Sequence, residues 1–276
     1  MAAAADPAAQ LADALWGARR GSLLVVTGAG VSVASGISTF RGTDPGAIWK
    51  RDLTELGTYR YFCSDPVGSW SWYLARFDQV FQARPNPAHE ALAALERWQL
   101  AAGGHFLLVT QNIDTLHEQA GSRQLVKVHG SADRVRCSRV GCEHGAPKGS
   151  LPRADLDLSA FRRQPSVDHL PRCPKCGALL RQHVLWFDEY YTEHEDYQFE
   201  RVEREAARAD LALCVGTSFS VGVTALILQL AFAREIPVLS VDPAAPGDGA
   251  GSGMQVLAAK AEEILPQSYR LLAGMI

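Results

Sequence analysis

The stretch Leu23-Leu24-Val25-Val26-Thr27-Gly28-Ala29-Gly30-Val31-Ser32 decides how the chain is read. A continuous apolar run ending in closely spaced glycines has the form of a buried strand entering a turn. There, backbone N–H groups approach a pyrophosphate with no Cβ between them. The dinucleotide fingerprint needs a third glycine three positions beyond Gly30, and Val33 stands in that place. Gly28-Ala29-Gly30 alone therefore also fits an ordinary strand-to-helix turn. A second glycine turn, around Gly36, follows it.

Outward from this loop, strands alternate with helices. Leu11 to Arg19 carries Leu11, Ala14, Leu15 and Ala18 at helical spacing. Asp65 to Phe81 reads as an aromatic helix, and Pro87 opens an amphipathic one with Ala88, Ala91, Leu92, Leu95 and Trp98 on one stripe. His105–Thr110, Leu125–Val128, Leu211–Val215 and Ile236–Val241 read as further buried strands, the last of these closing the set. Tyr197 to Arg208 reads as a charged helix, Val223 to Phe232 as an apolar one, and Ala258 to Leu272 as a closing helix with Pro266 at a bend. Pro243 to Gly253 reads as a flexible loop. The alternation predicts an α/β fold with a doubly wound, Rossmann-like parallel sheet. Residues 1–130 and 184–276 are assigned to the sheet domain and 131–183 to an inserted metal-binding module. Residues 30–85 are assigned to a cofactor-binding loop and helical segment.

In open α/β sheets ligands sit beyond the carboxyl ends of the strands. Gln111, Asn112 and Asp114 stand there after the second strand, where Asn and Asp also serve as helix caps. His129, at a strand end beside Gly130, is placed for acid–base work. Gly216-Thr217-Ser218 ends another strand, and Asp242 past the next is placed to accept from ribose hydroxyls. Phe40 is an aromatic suited to stacking and Arg41 a cation suited to phosphate; each is equally an anchor or a solvated charge. Tyr73 and Arg76 share one helix face.

Cys137-x4-Cys142 and Cys173-x2-Cys176 form two close pairs in a polar, Pro-rich interval with no core to bury thiols. This spacing predicts one structural Zn²⁺ in a tetrahedral Cys₄ site, with His144 or His169 as alternative ligands to the wider pair. Hydrophobic residues make up 47% of the 276, enough for a sizeable core, and the net charge of −3 gives no electrostatic footprint for nucleic acid. No apolar run approaches the roughly 18 residues that span a bilayer, and residues 1–10 resemble no secretory or transit peptide. The expectation is a cytoplasmic monomer that binds neither membrane nor nucleic acid.

Taken in order, Gly28-Ala29-Gly30-Val31-Ser32, Phe40-Arg41-Gly42, Thr110-Gln111-Asn112-Ile113-Asp114, Val128-His129-Gly130, the four cysteines and Gly216-Thr217-Ser218 resemble a sirtuin, a NAD-dependent protein deacylase. The likeness runs from about Leu11 to Pro266. It implies that NAD is consumed as a co-substrate: the acyl-lysine oxygen attacks the nicotinamide ribose, and the products are free lysine, nicotinamide and acyl-ADP-ribose. It implies that His129 is the general base on a ribose hydroxyl, and that Asn112 and Asp114 line the nicotinamide pocket under Phe40. It further implies cofactor contacts from Gly28, Ala29, Gly30, Ser32, Ile37, Arg41, Gln111, Ile113, Gly216, Thr217, Ser218, Asp242 and Ala261. Leu185 and Phe187 would flank the lysine of an acylated protein substrate. The setting of Tyr73 and Arg76 is similar to the branch that removes succinyl, malonyl and glutaryl groups, where such a pair holds the distal carboxylate. The rival readings are a general deacetylase or an ADP-ribosyltransferase on the same site, and, from another class, a non-enzymatic zinc module.

Some positions depart from the family pattern. Ser38-Thr39 replaces a common Pro-Asp, Thr115 and Asp188 replace common glycines, and Asp242 replaces a common Asn. Asp188 is expected to alter how a substrate peptide pairs or to disfavour acidic sequences next to the lysine.

Overall fold

The computed structural model describes residues 6–38, 53–219, 222–243 and 253–275. The described strands are β1 (Ser22–Thr27), β2 (His105–Thr110), β3 (Leu125–Lys127), β4 (Gly130–Cys137), β5 (Leu151–Pro152), β6 (Leu180–Val184), β7 (Leu211–Val215), β8 (Val238–Val241) and β9 (Met254–Leu257). Six of them make a parallel sheet in the order β3-β2-β1-β7-β8-β9. Its central strands are apolar runs rather than alternating patterns because helices cover both faces. Leu23 and Val25 of β1 face one way, toward Leu11, Leu92, Leu95 and Ile264 of the helices Pro7–Gly17, Pro87–Ala101 and Ala261–Ala273. Leu24 and Val26 face the other way, toward Val202 and Ile227 of the helices Phe199–Ala206 and Gly222–Ala233. The two-residue period of a strand thus feeds two separate cores.

From β1 the chain builds toward β2 and β3 on one side and toward β7, β8 and β9 on the other. The reversal lies between β1 and β7, where an open α/β sheet leaves a crevice at its carboxyl edge. One expectation is corrected by these elements. The strand read as Ile236–Val241 begins at Val238 and is not the last, since β9 pairs beside it with Val238 opposite Met254. Met-Gln-Val-Leu is too short and mixed to stand out after a Pro/Gly stretch. The closing helix runs unbroken through Pro266, its apolar face held by Ile264, Leu265 and Leu272.

Three strands, in the order β5-β4-β6, form a separate antiparallel sheet. The aromatic helix Pro66–Gln82 packs on it: Trp70, Tyr73, Leu74 and Phe77 share a core with Val135, Leu180 and Trp186. The Trp70 indole N–H donates to the Leu180 carbonyl at 2.8 Å. Among the described residues no helix is long and apolar enough to cross a membrane.

The four cysteines come together beside this sheet, with Cys137 Sγ 3.4 Å from Cys176 Sγ and Cys142 Sγ 3.7 Å from Cys173 Sγ. A tetrahedral ion with Zn–S bonds of about 2.3 Å sets its sulfurs about 3.8 Å apart, so the thiolates fit zinc. The cluster consists of the four cysteines; neither His144 nor His169 joins it. Because a preformed site is absent from the unfolded chain, the binding free energy of such an ion adds to folding. Cys176→Ser is therefore expected to lose zinc and lower Tm by roughly 10 °C. Metal analysis with thermal unfolding checks this, and an unchanged Tm in a zinc-free variant would count against a structural ion.

Candidate active site

The loop after β1 is a 3₁₀ helix, Ala29–Ser35, ended by Gly36 in the left-handed region. Its glycines meet protein before any ligand. The Gly30 N–H donates to the Gly216 carbonyl at 2.9 Å, and the Gly28 N–H to Val215 at 3.1 Å. A Cβ on Gly30 would lie 2.6 Å from Gly216 Cα, and one on Gly28 would lie 2.7 Å from the Gly216 oxygen. The loops after β1 and β7 are thus in backbone contact across the switch point.

Polar side chains fasten the loop after β2 to this pair. Asn112 donates to the Gly28 carbonyl at 3.0 Å and to Ser32 Oγ at 3.1 Å. Ser32 in turn donates to Asp114 Oδ2 at 3.0 Å, while Asp114 Oδ1 accepts from the Leu116 N–H. Gln111 reaches Thr217 Oγ at 3.0 Å. Ser32, Gln111, Asn112, Asp114, Thr217 and the glycines therefore form one connected cluster. Ser218 is exposed beside it, and Ile37 and Ile113 are partly buried. Asp242 lies just past β8, and Ala261 opens the last helix. Phe40 and Arg41 lie outside the described residues, as does most of the loop expected at Pro243 to Gly253.

His129 joins the cluster through its ring. Nδ1 is 2.7 Å from the Gln111 carbonyl, which can only accept, so Nδ1 carries the proton and Nε2 the lone pair. Burial lowers its pKa to about 4, against the opposing Gln111 bond. The imidazole is thus a neutral base at pH 7. Leu185 N–H donates to the His129 carbonyl at 2.9 Å, which fixes the stretch Leu185-Trp186-Phe187 beside it. Tyr73 stacks on Trp186 with centroids 6.3 Å apart. Arg76, one turn on, lays its guanidinium 3.9 Å over the Trp72 ring and donates to the Trp72 carbonyl at 3.0 Å.

Asp188 has partners within the chain. Its carboxylate accepts the Tyr59 N–H at 2.7 Å and the Arg60 N–H at 3.1 Å, capping the helix Tyr59–Ser64. Phe187 N–H donates to the Gly57 carbonyl at 3.0 Å. The acid therefore staples a helix onto this stretch.

A Sir2 family model matches residues 28–223. The chain belongs to the Sir2 family. It is 41% identical to a NAD-dependent protein deacylase of Thermus thermophilus, over 79% of this chain and 78% of that one. It is 38% identical to NAD-dependent protein deacylase 1 of Pseudomonas aeruginosa, over 94% and 96% respectively. A solved Sir2 homologue–NAD complex superposes with a TM-score of 0.78 at 33% identity, covering 99% of this chain and 96% of that one. The family, the fold, the enzyme class of a NAD-consuming protein deacylase and the need for NAD and zinc all stand as the motifs implied. For NAD the donor set fits: the amide of Gln111, the hydroxyls of Thr217 and Ser218 and the turn Ala29–Ser35 stand at the carboxyl edge of the sheet, Gln111 and Thr217 joined at 3.0 Å.

Three features escaped the sequence reading. Tyr191 touches His129, its hydroxyl 3.2 Å from Nε2. His89 and His117 lie buried beneath the glycine loop with rings 4.7 Å apart, and the His117 Nε2 pairs with Thr27 Oγ at 3.0 Å. Nothing in the local sequence of an amphipathic helix marks a histidine as inward-facing and neutral. A further cluster of His183, His194 and Asp196 has its ligating atoms within 4.8 Å of one another, but its hydrogen bonds close it without a metal. His194 Nε2 donates to Gly149 and its Nδ1 accepts from the Asp196 N–H. His183 Nε2 meets Asp196 at 3.1 Å, and its buried Nδ1 has no partner. Metal on Nε2 would move the proton to that orphaned Nδ1, at a cost of about 1–3 kcal/mol.

Burial lowers His89 and His183 to about 4. Their folded pKa values lie below the unfolded value near 6.5, so the unfolded chain binds more protons in that window and stability falls as pH drops. The loss is about 2 kcal/mol per histidine by pH 5. Tm measured from pH 7 to pH 5, above the carboxylate range, should decline steadily; a flat profile would show that these histidines are not held neutral.

Proposed function

We propose that this Sir2-family enzyme removes acidic acyl groups, such as succinyl, malonyl or glutaryl, from protein lysines. The observation that carries the reading is the position of Tyr73 and Arg76. They lie one turn apart on the helix whose Tyr73 ring stacks on Trp186, between Leu185 and Phe187. Leu185 is tied to His129, so a lysine lying along this stretch would direct its acyl group toward that helix. Burial raises the Tyr73 phenol pKa, keeping it a neutral donor. A guanidinium and a phenol together match a terminal carboxylate. A relative named NAD-dependent protein deacylase sirtuin-5, from Danio rerio, is 38% identical over 78% of this chain and supports the reading.

NAD, when bound, supplies the activated ribose carbon and the nicotinamide leaving group. In this reading Asn112 and Asp114, braced by Ser32, border the carboxamide. Gln111 and Gly216 to Ser218 hold the ribose and phosphates. His129 takes a proton from a ribose hydroxyl at Nε2. A general deacetylase has one observation in its favour, the contact of Arg76 with the Trp72 ring and carbonyl.

Succinyl-, malonyl- and acetyl-lysine forms of one peptide, followed by acyl-ADP-ribose release, separate the readings. Arg76→Met is expected to cost desuccinylation roughly 10- to 100-fold in kcat/KM, the worth of a charged hydrogen bond, while deacetylation changes far less. Equal losses on both substrates would reduce Arg76 to packing. ADP-ribose without acyl-ADP-ribose would indicate transfer chemistry instead.

A further inference from the structure

The base assigned to His129 has its lone pair already occupied. Nδ1–H is committed to the Gln111 carbonyl, and the hydrogen-bond partner of Nε2 among the described residues is the Tyr191 hydroxyl at 3.2 Å, with the two rings stacked 5.8 Å apart. A phenol beside a bare imidazole nitrogen must donate to it. Tyr191 is held in that pose by its ring, which stacks on Phe199 at 4.6 Å and 9°.

We propose that Tyr191 is a latch on the general base: in the free enzyme its hydroxyl caps His129 Nε2, and the ribose hydroxyl of the incoming co-substrate must displace it before the proton can be taken. This rests on His129 being the base. The chain of donors runs from Tyr191 through His129 to Gln111, so the ring is oriented and kept neutral until the site fills. Protonating Nε2 in the free enzyme would forfeit the phenol's bond. Among the described residues no charged group acts on the ring: the groups facing it are the Gln111 carbonyl from the loop after β2 and the Tyr191 phenol from the segment after β6. The backbone contact from Leu185 goes to the His129 carbonyl, not to its ring.

Tyr191 acts through His129, so it is a positioning residue, and the readout must separate free enzyme from complex. The acid limb of kcat/KM reports the free enzyme and that of kcat reports the filled site. Tyr191→Phe keeps the ring stacked between His129 and Phe199 and removes only the hydroxyl. Its kcat/KM limb is expected to move up by about half to one pH unit, as for loss of one hydrogen bond to the neutral form, while its kcat limb stays in place. Histidine ¹⁵N NMR of the NAD-free enzyme gives the same His129 shift without needing turnover. His129→Asn serves as the control for the underlying assignment. If it retains activity, His129 is not the base and the latch falls with it. If it is inactive but Tyr191→Phe leaves both the kcat/KM limb and the NMR titration unchanged, the base stands and the latch alone is refuted. Equal movement of both limbs would also overturn the latch, since it would place Tyr191 on His129 throughout the cycle.

Discussion

The site depends on two backbones touching. Gly30 and Gly216 meet at the switch point through one N–H to carbonyl bond, with Gly216 itself in the left-handed region. Side chains on either residue would drive the loops after β1 and β7 apart. Because these loops touch, Gly28 presents its carbonyl to Asn112, and Ser32 sits between Asn112 and Asp114. The loop after β2 is therefore located by the glycine pair, and His129 follows from that loop through the Gln111 carbonyl. One contact of minimal size sets the positions of the polar groups around it.

Beneath the contact lies an unusually neutral layer. His89 and His117 are buried under the glycine loop, and desolvation holds both in the uncharged form. Neutral imidazoles can share protons with Thr27 and face Ser32 without bringing a second buried charge to Asp114. Burial keeps the His129 imidazole neutral as well. The small sheet adds a different element: the buried Arg136 and Arg181 both pair with Glu189, and Arg181 lies 3.3 Å over Trp186. That cluster stiffens the turn carrying Trp186, the ring on which Tyr73 rests.

Much of this is legible in the chain. Continuous apolar runs announce β1, β2 and β7 because a strand buried on both faces leaves no polar face to read. The cysteine pairs announce a metal cluster because ligand spacing is a local property. Gln111, Asn112 and Asp114 are legible by position alone, at a strand's carboxyl end. What cannot be read is long-range. The glycines after β1 read as clearing room for a pyrophosphate, yet the nearest neighbour of Gly30 is a backbone 186 positions away at Gly216. Asp188 reads as a departure that alters peptide pairing, and its contact with Tyr59 and Arg60 as a helix cap is a pairing that no local pattern encodes. Tyr191 is inconspicuous in a polar stretch, since its meaning comes entirely from the histidine opposite. β9 escapes notice because a four-residue edge strand carries too little periodicity to stand out.

The most direct test of the contact between Gly30 and Gly216 is the thermal stability of Gly30→Ala with no NAD present. If the glycine serves that contact, the variant should lose about 2–3 kcal/mol and several degrees of Tm before any ligand is added. If Gly30 exists only to admit a pyrophosphate, the NAD-free protein will melt like the parent and the defect will appear solely in NAD binding, contradicting the central role of the loop contact.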